Sequence, residues 1–293
     1  MSPEEVTREV RRLEITTRHL VRDIMAGEYS SAFRGRGVEF AEVREYQPGD
    51  DVRTIDWNVT ARLGAAYVKR YLEERELTVL FVVDLSASSG FGSVRRTKSD
   101  LTTEVCAVLA LAAARNNDRV GAVFATDQVE HYVAARKGRR QALRVISDLL
   151  GFRPARTGTD LGAALAYLEP MIRRRAVIFL VSDFLSAGYE PPLARLARRH
   201  DLIAIQVTDP RERVLPDVGL VTLWDPESGN WRVVNTGDAG VRERFRGRGA
   251  AFDARLERML NESGADLLRL ETGASYAEPL LAFFRLRESR QWR

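Results

Sequence analysis

Thr78-Val79-Leu80-Phe81-Val82-Val83-Asp84-Leu85-Ser86-Ala87-Ser88 is the stretch that decides the fold. After its opening Thr, the run to Val83 is apolar and rich in β-branched residues, without alternation. That is the pattern of a strand buried on both faces, as in a parallel sheet covered by helices. A carboxylate and two hydroxyls follow at once. In open parallel sheets ligands bind outside the carboxyl ends of the strands. This loop therefore stands where a site belongs.

Working toward the C-terminus, residues 97–116 read as a long helix. Residues 119–125 and 129–134 read as strands linked by Thr126-Asp127-Gln128, and 139–150 and 160–168 as helices. Ala176–Val181 is a second wholly apolar strand, followed by a helix over 191–199 and a strand over 202–207. Residues 211–237 break the rhythm. Gly219–Trp224, the polar stretch Asp225-Pro226-Glu227-Ser228-Gly229-Asn230 and Trp231–Asn235 predict a β-hairpin. A helix over 241–262, a strand over 266–270 and a helix over 276–287 close the chain. Strands alternating with helices predict an α/β fold with a doubly wound, mostly parallel sheet and a hairpin insertion.

Working toward the N-terminus, Val6, Val10, Leu13, Leu20 and Ile24 recur at helical spacing and predict a helix over 2–27. Tyr29–Gly37 reads as a loop, Val38–Tyr46 as a strand, Gln47-Pro48-Gly49-Asp50-Asp51 as a turn, and 66–72 as a further strand. The expected division is an N-terminal α+β extension over 1–75 and a main domain over 76–293.

Composition narrows the function classes. Of the 293 residues, 45% are hydrophobic and 29% charged, which is ordinary for a globular chain. The 45 basic and 41 acidic residues are interspersed, so no block of charge argues for nucleic acid. The single Cys106 excludes an internal disulfide and a cysteine-rich metal site. Its place in the run Val105–Ala114 predicts a packing role. No stretch reaches the ~20 apolar residues of a membrane span, and Met1-Ser2-Pro3-Glu4-Glu5 opens without an apolar signal core. The expected location is the cytoplasm.

Two more segments match the first loop. Thr157-Gly158-Thr159-Asp160 precedes a helix, and Ser182-Asp183 ends the second apolar strand. If the two apolar strands are neighbours, Asp84 and Asp183 meet above one sheet edge. These residues offer only hard oxygen donors. That selects Mg²⁺ first, with Mn²⁺ or Ca²⁺ as further candidates, over Zn²⁺ or Cu²⁺. Three direct protein oxygens plus waters would leave a position for a partner's carboxylate.

Asp-x-Ser-x-Ser after a buried strand, a later Thr and a later Asp resemble the metal-ion-dependent adhesion site of von Willebrand factor A domains. The resemblance implies a metal set of Asp84, Ser86, Ser88, Thr159 and Asp183, with Thr157 as runner-up to Thr159. Gly35-Arg36-Gly37-Val38-Glu39-Phe40, Arg44–Asp51, Arg53-Thr54-Ile55-Asp56-Trp57 and Thr60-Ala61-Arg62 resemble the signature of the domain of unknown function 58 family. That family's bacterial members are often encoded beside MoxR-type AAA+ ATPases. The resemblance implies a cytoplasmic adaptor or co-chaperone for such an ATPase.

Plainer readings stand beside these. Asp84, Ser86 and Ser88 could cap a helix, and Asp160 reads as a cap. Asp50, Asp51 and Asp56 read as turn and anchor residues paired with Arg44, Arg53 and Arg62. Tyr46 and Trp57 are expected to pack between extension and main domain. Arg173-Arg174-Arg175 reads as a solvated helix end, and Arg242, Arg244, Arg246 and Arg248 as a basic stretch whose even spacing follows no single helix face. His19, His131 and His200 are scattered. There is no Gly-x-Ser-x-Gly elbow and no phosphate loop. A Mg²⁺-dependent phosphohydrolase or phosphotransferase would need a second Asp where Ser86 stands. A purely structural oligomerisation module is the third alternative.

Overall fold

The computed structural model describes residues 1–25, 33, 38–48, 50–73 and 76–291. Apart from Phe33, the expected loop Tyr29–Gly37 lies outside these residues, as does Gly49 of the expected turn. Two compact units are present: Arg34–Leu77, and Met1–Phe33 with Thr78–Arg293. The expected division put the first helix with the extension. It belongs to the larger unit. Helix α1 (Pro3–Met25) buries Val6, Val10, Leu13, Val21 and Ile24 along one stripe. Val6, Val10 and Leu13 pack on Ala107 and Ile146 of that unit.

In the smaller unit, β1 (Val38–Glu45) pairs antiparallel with β2 (Tyr67–Glu73). Between them lie a short 3-10 turn, Val52–Thr54, and helix α2 (Trp57–Leu63), which the periodicity did not show. Asp51 caps the first and Asp56 caps the second. Arg44 donates two hydrogen bonds to Asp50, at 2.9 and 2.6 Å. Each acid is thus committed locally. Trp57, expected to be a packed anchor, is 70% exposed. With Asp56 as N-cap, Trp57 opens a two-turn helix.

The larger unit is built on a six-stranded sheet in the order β10-β7-β6-β3-β4-β5. Its elements run β3 (Thr78–Asp84), α3 (Lys98–Arg115), β4 (Arg119–Ala125), β5 (Val129–Lys137), α4 (Arg139–Gly151), α5 (Leu161–Leu168), β6 (Val177–Ser182), α6 (Glu190–Arg199) and β7 (Asp201–Thr208). The one-turn α7 (Pro210–Arg213), the separate hairpin β8 (Leu220–Trp224) and β9 (Trp231–Asn235), α8 (Ala239–Ser263), β10 (Asp266–Glu271) and α9 (Ala277–Gln291) follow. Only the edge strand β5 runs antiparallel. This is the doubly wound α/β class expected.

The core follows from strand alternation. Leu80 and Val82 face a cluster that includes Leu161, Leu165, Leu193 and Leu256 from helices α5, α6 and α8. On the opposite side of the sheet Phe81 stacks on Phe179 at 5.5 Å, and Phe33 meets Phe179 edge-on. Helix α3 is buried almost all round, as expected of an element covered on both sides. Cys106 lies within it, and burial alone pushes its thiol up to about 12, so the residue packs rather than reacts.

β3 and β6 are adjacent and parallel. From β3 the chain winds through β4 and β5, and from β6 it winds the other way through β7 and β10. The gap above β3 and β6 is therefore the point where strand order reverses, and such crevices hold ligands.

Candidate metal site

Four of the five predicted residues meet at that point. Asp84 ends β3 and is 6% exposed. One of its oxygens accepts the Ser86 backbone N–H at 2.9 Å and the other accepts the Ser182 hydroxyl at 2.7 Å. The Ser86 and Ser88 hydroxyls are 3.2 Å apart. Ser88 Oγ donates to Asp183 Oδ2 at 3.0 Å. The chain of contacts runs unbroken from Asp84 to Asp183.

The backbone sets these directions. Asp183 follows β6, and the next residue, Phe184, has φ of 63°. That conformation costs a non-glycine residue on the order of 1–2 kcal/mol. It is held because the Phe184 ring is fully buried beside Tyr189, while its N–H donates to Ser182 Oγ at 2.9 Å. Ser182 thus links the Asp84 loop to the Asp183 loop.

The second loop is docked beside the first, where the Ala87 N–H donates to the Thr157 carbonyl at 2.9 Å. Thr159 is bonded outside that chain of contacts. Its hydroxyl donates to Glu227 Oε1 at 3.0 Å, in the turn of the β8–β9 hairpin. A hydroxyl that gives its proton to a carboxylate keeps its oxygen lone pairs. Thr157 contributes its carbonyl to the loop contact and its side chain is exposed. Asp160 caps α5 by accepting the Ala163 N–H at 2.8 Å.

Sequence reading missed a cation. Lys98, the first residue of α3, is 2% exposed. Its Nζ donates to Asp183 Oδ2 and to Glu212 Oε1, each at 2.7 Å. Burial works to lower the Lys98 pKa, but the charges of Asp183 and Glu212 outweigh it and hold the ammonium above its ordinary value. The loop before α3 is fixed by Asp209, which is fully buried and accepts the Ser93 N–H at 2.8 Å and the Thr272 hydroxyl at 2.6 Å. The only local signal near Lys98 is the Thr97/Asp100 capping box, which shows where α3 starts but not where the amine goes.

The electrostatics fit a further cation. Burial, and next the charge of Asp183, push the Asp84 carboxyl up to about 6. Asp183 and Glu212 share the one ammonium of Lys98, and the charge of Asp183 also acts on Asp84, so negative charge outweighs positive here when these acids are ionised. Among the described residues no three carboxylate, imidazole or thiolate groups converge as a metal cluster. Any ion here would rest on two carboxylates and hydroxyls, a hard donor set that suits Mg²⁺.

A doubly wound, mostly parallel sheet covered by helices, with an acid-and-hydroxyl cluster at its reversal point, defines the α/β class of this domain. The family described as "Protein of unknown function DUF58" matches residues 42–255, and the chain belongs to it. An uncharacterized protein of Mycobacterium tuberculosis (strain ATCC 25618 / H37Rv) is 36% identical over 277 residues, covering 94% of this chain and 87% of that protein. An uncharacterized protein of Mycobacterium avium is 35% identical over 53% of this chain and 93% of its own length. In fold, the chain is similar to the conserved hypothetical protein BatB from Bacteroides thetaiotaomicron, with a TM-score of 0.50 at 14% identity over 73% of this chain and 99% of that one. An aerotolerance-related membrane protein from Bacteroides fragilis gives the same values. Among the described residues of the present chain no helix is long and apolar enough to cross a membrane.

Proposed function

We propose that this chain is a protein-binding adaptor whose grip depends on a divalent cation, Mg²⁺ first, held by Asp84, Ser86, Ser88, Thr159 and Asp183. The observation that carries this reading is the continuous oxygen cluster from Asp84 to Asp183 at the point of strand reversal. A bound ion would supply positive charge for a partner's carboxylate in a partly desolvated cleft, where attraction is strong and geometry selective. The partner proposed is a MoxR-type AAA+ ATPase or its client, which makes the chain a cytoplasmic co-chaperone or assembly factor. Binding rather than catalysis is favoured by the surroundings of the hydroxyls. His131 is paired with Asp148, and His200 opens the opposite end of β7. Neither stands by the serines as a base.

Tagged protein should capture its ATPase partner in Mg²⁺ and lose it in excess EDTA. Asp84→Ala should abolish capture while the far-ultraviolet circular dichroism stays native. Equal capture in EDTA would sink the proposal.

Glu227 supplies a smaller prediction. Its carboxylate already occupies the hydroxyl of the second loop, where a partner's acid would arrive. Glu227→Gln should raise capture severalfold in Mg²⁺. Unchanged or weaker capture would make Glu227 a support for the hairpin and nothing more.

A further inference from the structure

The β8–β9 hairpin and the first turns of α8 enclose a cleft of about 500 Å³. Its floor is apolar, formed by Leu215, Leu223, Val234 and Phe245. Its rim is basic. Arg232 comes from β9, and Arg244 and Arg248 come from α8 one turn apart, hence on one helix face. Of the four arginines in the basic stretch, two are ion-paired. Arg242 pairs with Asp217 at 3.1 Å, and Arg246 pairs with Glu243 at 2.9 Å. Arg232, Arg244 and Arg248 are exposed, and none has an acid within ion-pair distance among the described residues. The one acid lining the cleft, Asp225, is occupied chiefly with the Ser228 hydroxyl and the Glu227 N–H, and the charge of Arg232 acts on it only as the smallest effect.

The hairpin's other face is uncovered. Strand alternation puts Leu220, Trp224, Trp231 and Val233 on it, at 73, 55, 67 and 70% exposed. Trp224 also lines the cleft, so the apolar surface continues from the cleft around the hairpin edge. An isolated two-stranded ribbon is marginal in water. Exposed aromatic side chains on such a ribbon, beside exposed arginines outside any close ion pair, are the composition of an interface core with a charged rim.

We propose that this cleft is a docking site for an acidic polypeptide segment carrying one large apolar side chain. The apolar residue fills the floor, and flanking Glu or Asp residues pair with Arg232, Arg244 and Arg248. The continuation of apolar surface beyond the cleft favours a polypeptide over a small anion. The apolar floor distinguishes the site from a phosphate-backbone surface, which is dominated by charge. The site needs no ion, so it stands or falls apart from the cation site.

The test is fluorescence anisotropy in EDTA with a labelled Glu-rich peptide bearing one central Phe. The parent protein and Asp84→Ala should bind it equally. Exchanging Phe for Ser in the peptide should weaken binding at least tenfold. The double variant Arg244→Glu/Arg248→Glu, altered only at exposed positions, should lose the peptide at least tenfold with its thermal midpoint unchanged. It should instead accept the same peptide with Lys in place of Glu. The proposal is overturned if the parent does not bind, if the double variant binds as well as the parent, or if the Ser peptide or single-stranded DNA binds as tightly as the Phe peptide.

Discussion

Lys98→Met is expected to destabilise the protein in EDTA by about 3–5 kcal/mol, the usual cost of removing one partner from a buried ion pair. The side chain of Lys98 is 3% exposed and that of Asp183 is 5% exposed. Removing the ammonium leaves the buried Asp183 carboxylate without that partner, beside Asp84, whose ionisation the Asp183 charge already opposes. A methionine fills the volume, so the loss comes from charge rather than from a cavity. Glu212→Gln should cost less, since Glu212 is 23% exposed and water can take over its role. The informative step is to add Mg²⁺. If the ion sits on Asp84 and Asp183, it restores positive charge where the amine was, and much of the loss should return. Urea unfolding of parent, Lys98→Met and Asp84→Ala/Lys98→Met, each with EDTA or Mg²⁺, measures this. Recovery in the single variant but not in the double assigns the ion to Asp84. Equal midpoints with and without Mg²⁺ in all three would place no ion at the cluster.

Lys98 also shows where sequence reading stopped. β3 and β6 were legible because strands buried on both faces leave no polar alternation, and their β-branched residues set them apart from the longer, alanine-rich apolar run Val105–Ala114 of helix α3. Asp84, Ser86, Ser88 and Asp183 were legible because they follow those strands directly. Their positions need only the strand ends and the adjacency of β3 to β6. Lys98 and Glu212 reach the cluster after loops whose courses are set by tertiary contacts, such as Asp209 binding Ser93 and Thr272. No local pattern encodes that. Glu227 is similar: the turn was readable, but not that the hairpin brings it to Thr159. The left-handed Phe184 was hidden because its residue type argues against that conformation, and only its burial enforces it. Short helix α2 was missed for a different reason. Seven residues give too little periodicity to outweigh the Asp and Trp that read as a turn and anchor.

The Asp84 carboxyl makes the second large prediction, in the pH dependence of stability. Its pKa rises from the ordinary 3.8 to about 6 on folding, chiefly by burial and then by the charge of Asp183. Between those values the native state keeps a proton that the unfolded chain has released. Stability from this group is therefore full below about 4, and it falls as pH rises through 6. At 1.36 kcal/mol per unit the loss is on the order of 3 kcal/mol for a shift from 3.8 to about 6. In EDTA the parent should lose stability between pH 4 and 7, measured against Asp84→Asn, which cannot titrate and should lack this component. A divalent ion reverses the sign. It binds the ionised carboxylate, so raising the pH frees the site, and Mg²⁺ should stabilise the parent more at pH 7.5 than at pH 5. At Mg²⁺ a hundredfold above its dissociation constant the gain is about 2.7 kcal/mol, comparable to the penalty it offsets. The two curves, with EDTA and with Mg²⁺, should diverge above pH 6 in the parent and coincide in Asp84→Asn. Parallel curves in the parent would mean that the raised Asp84 pKa reflects burial and the charge of Asp183 and nothing more, and that the cluster holds no divalent ion.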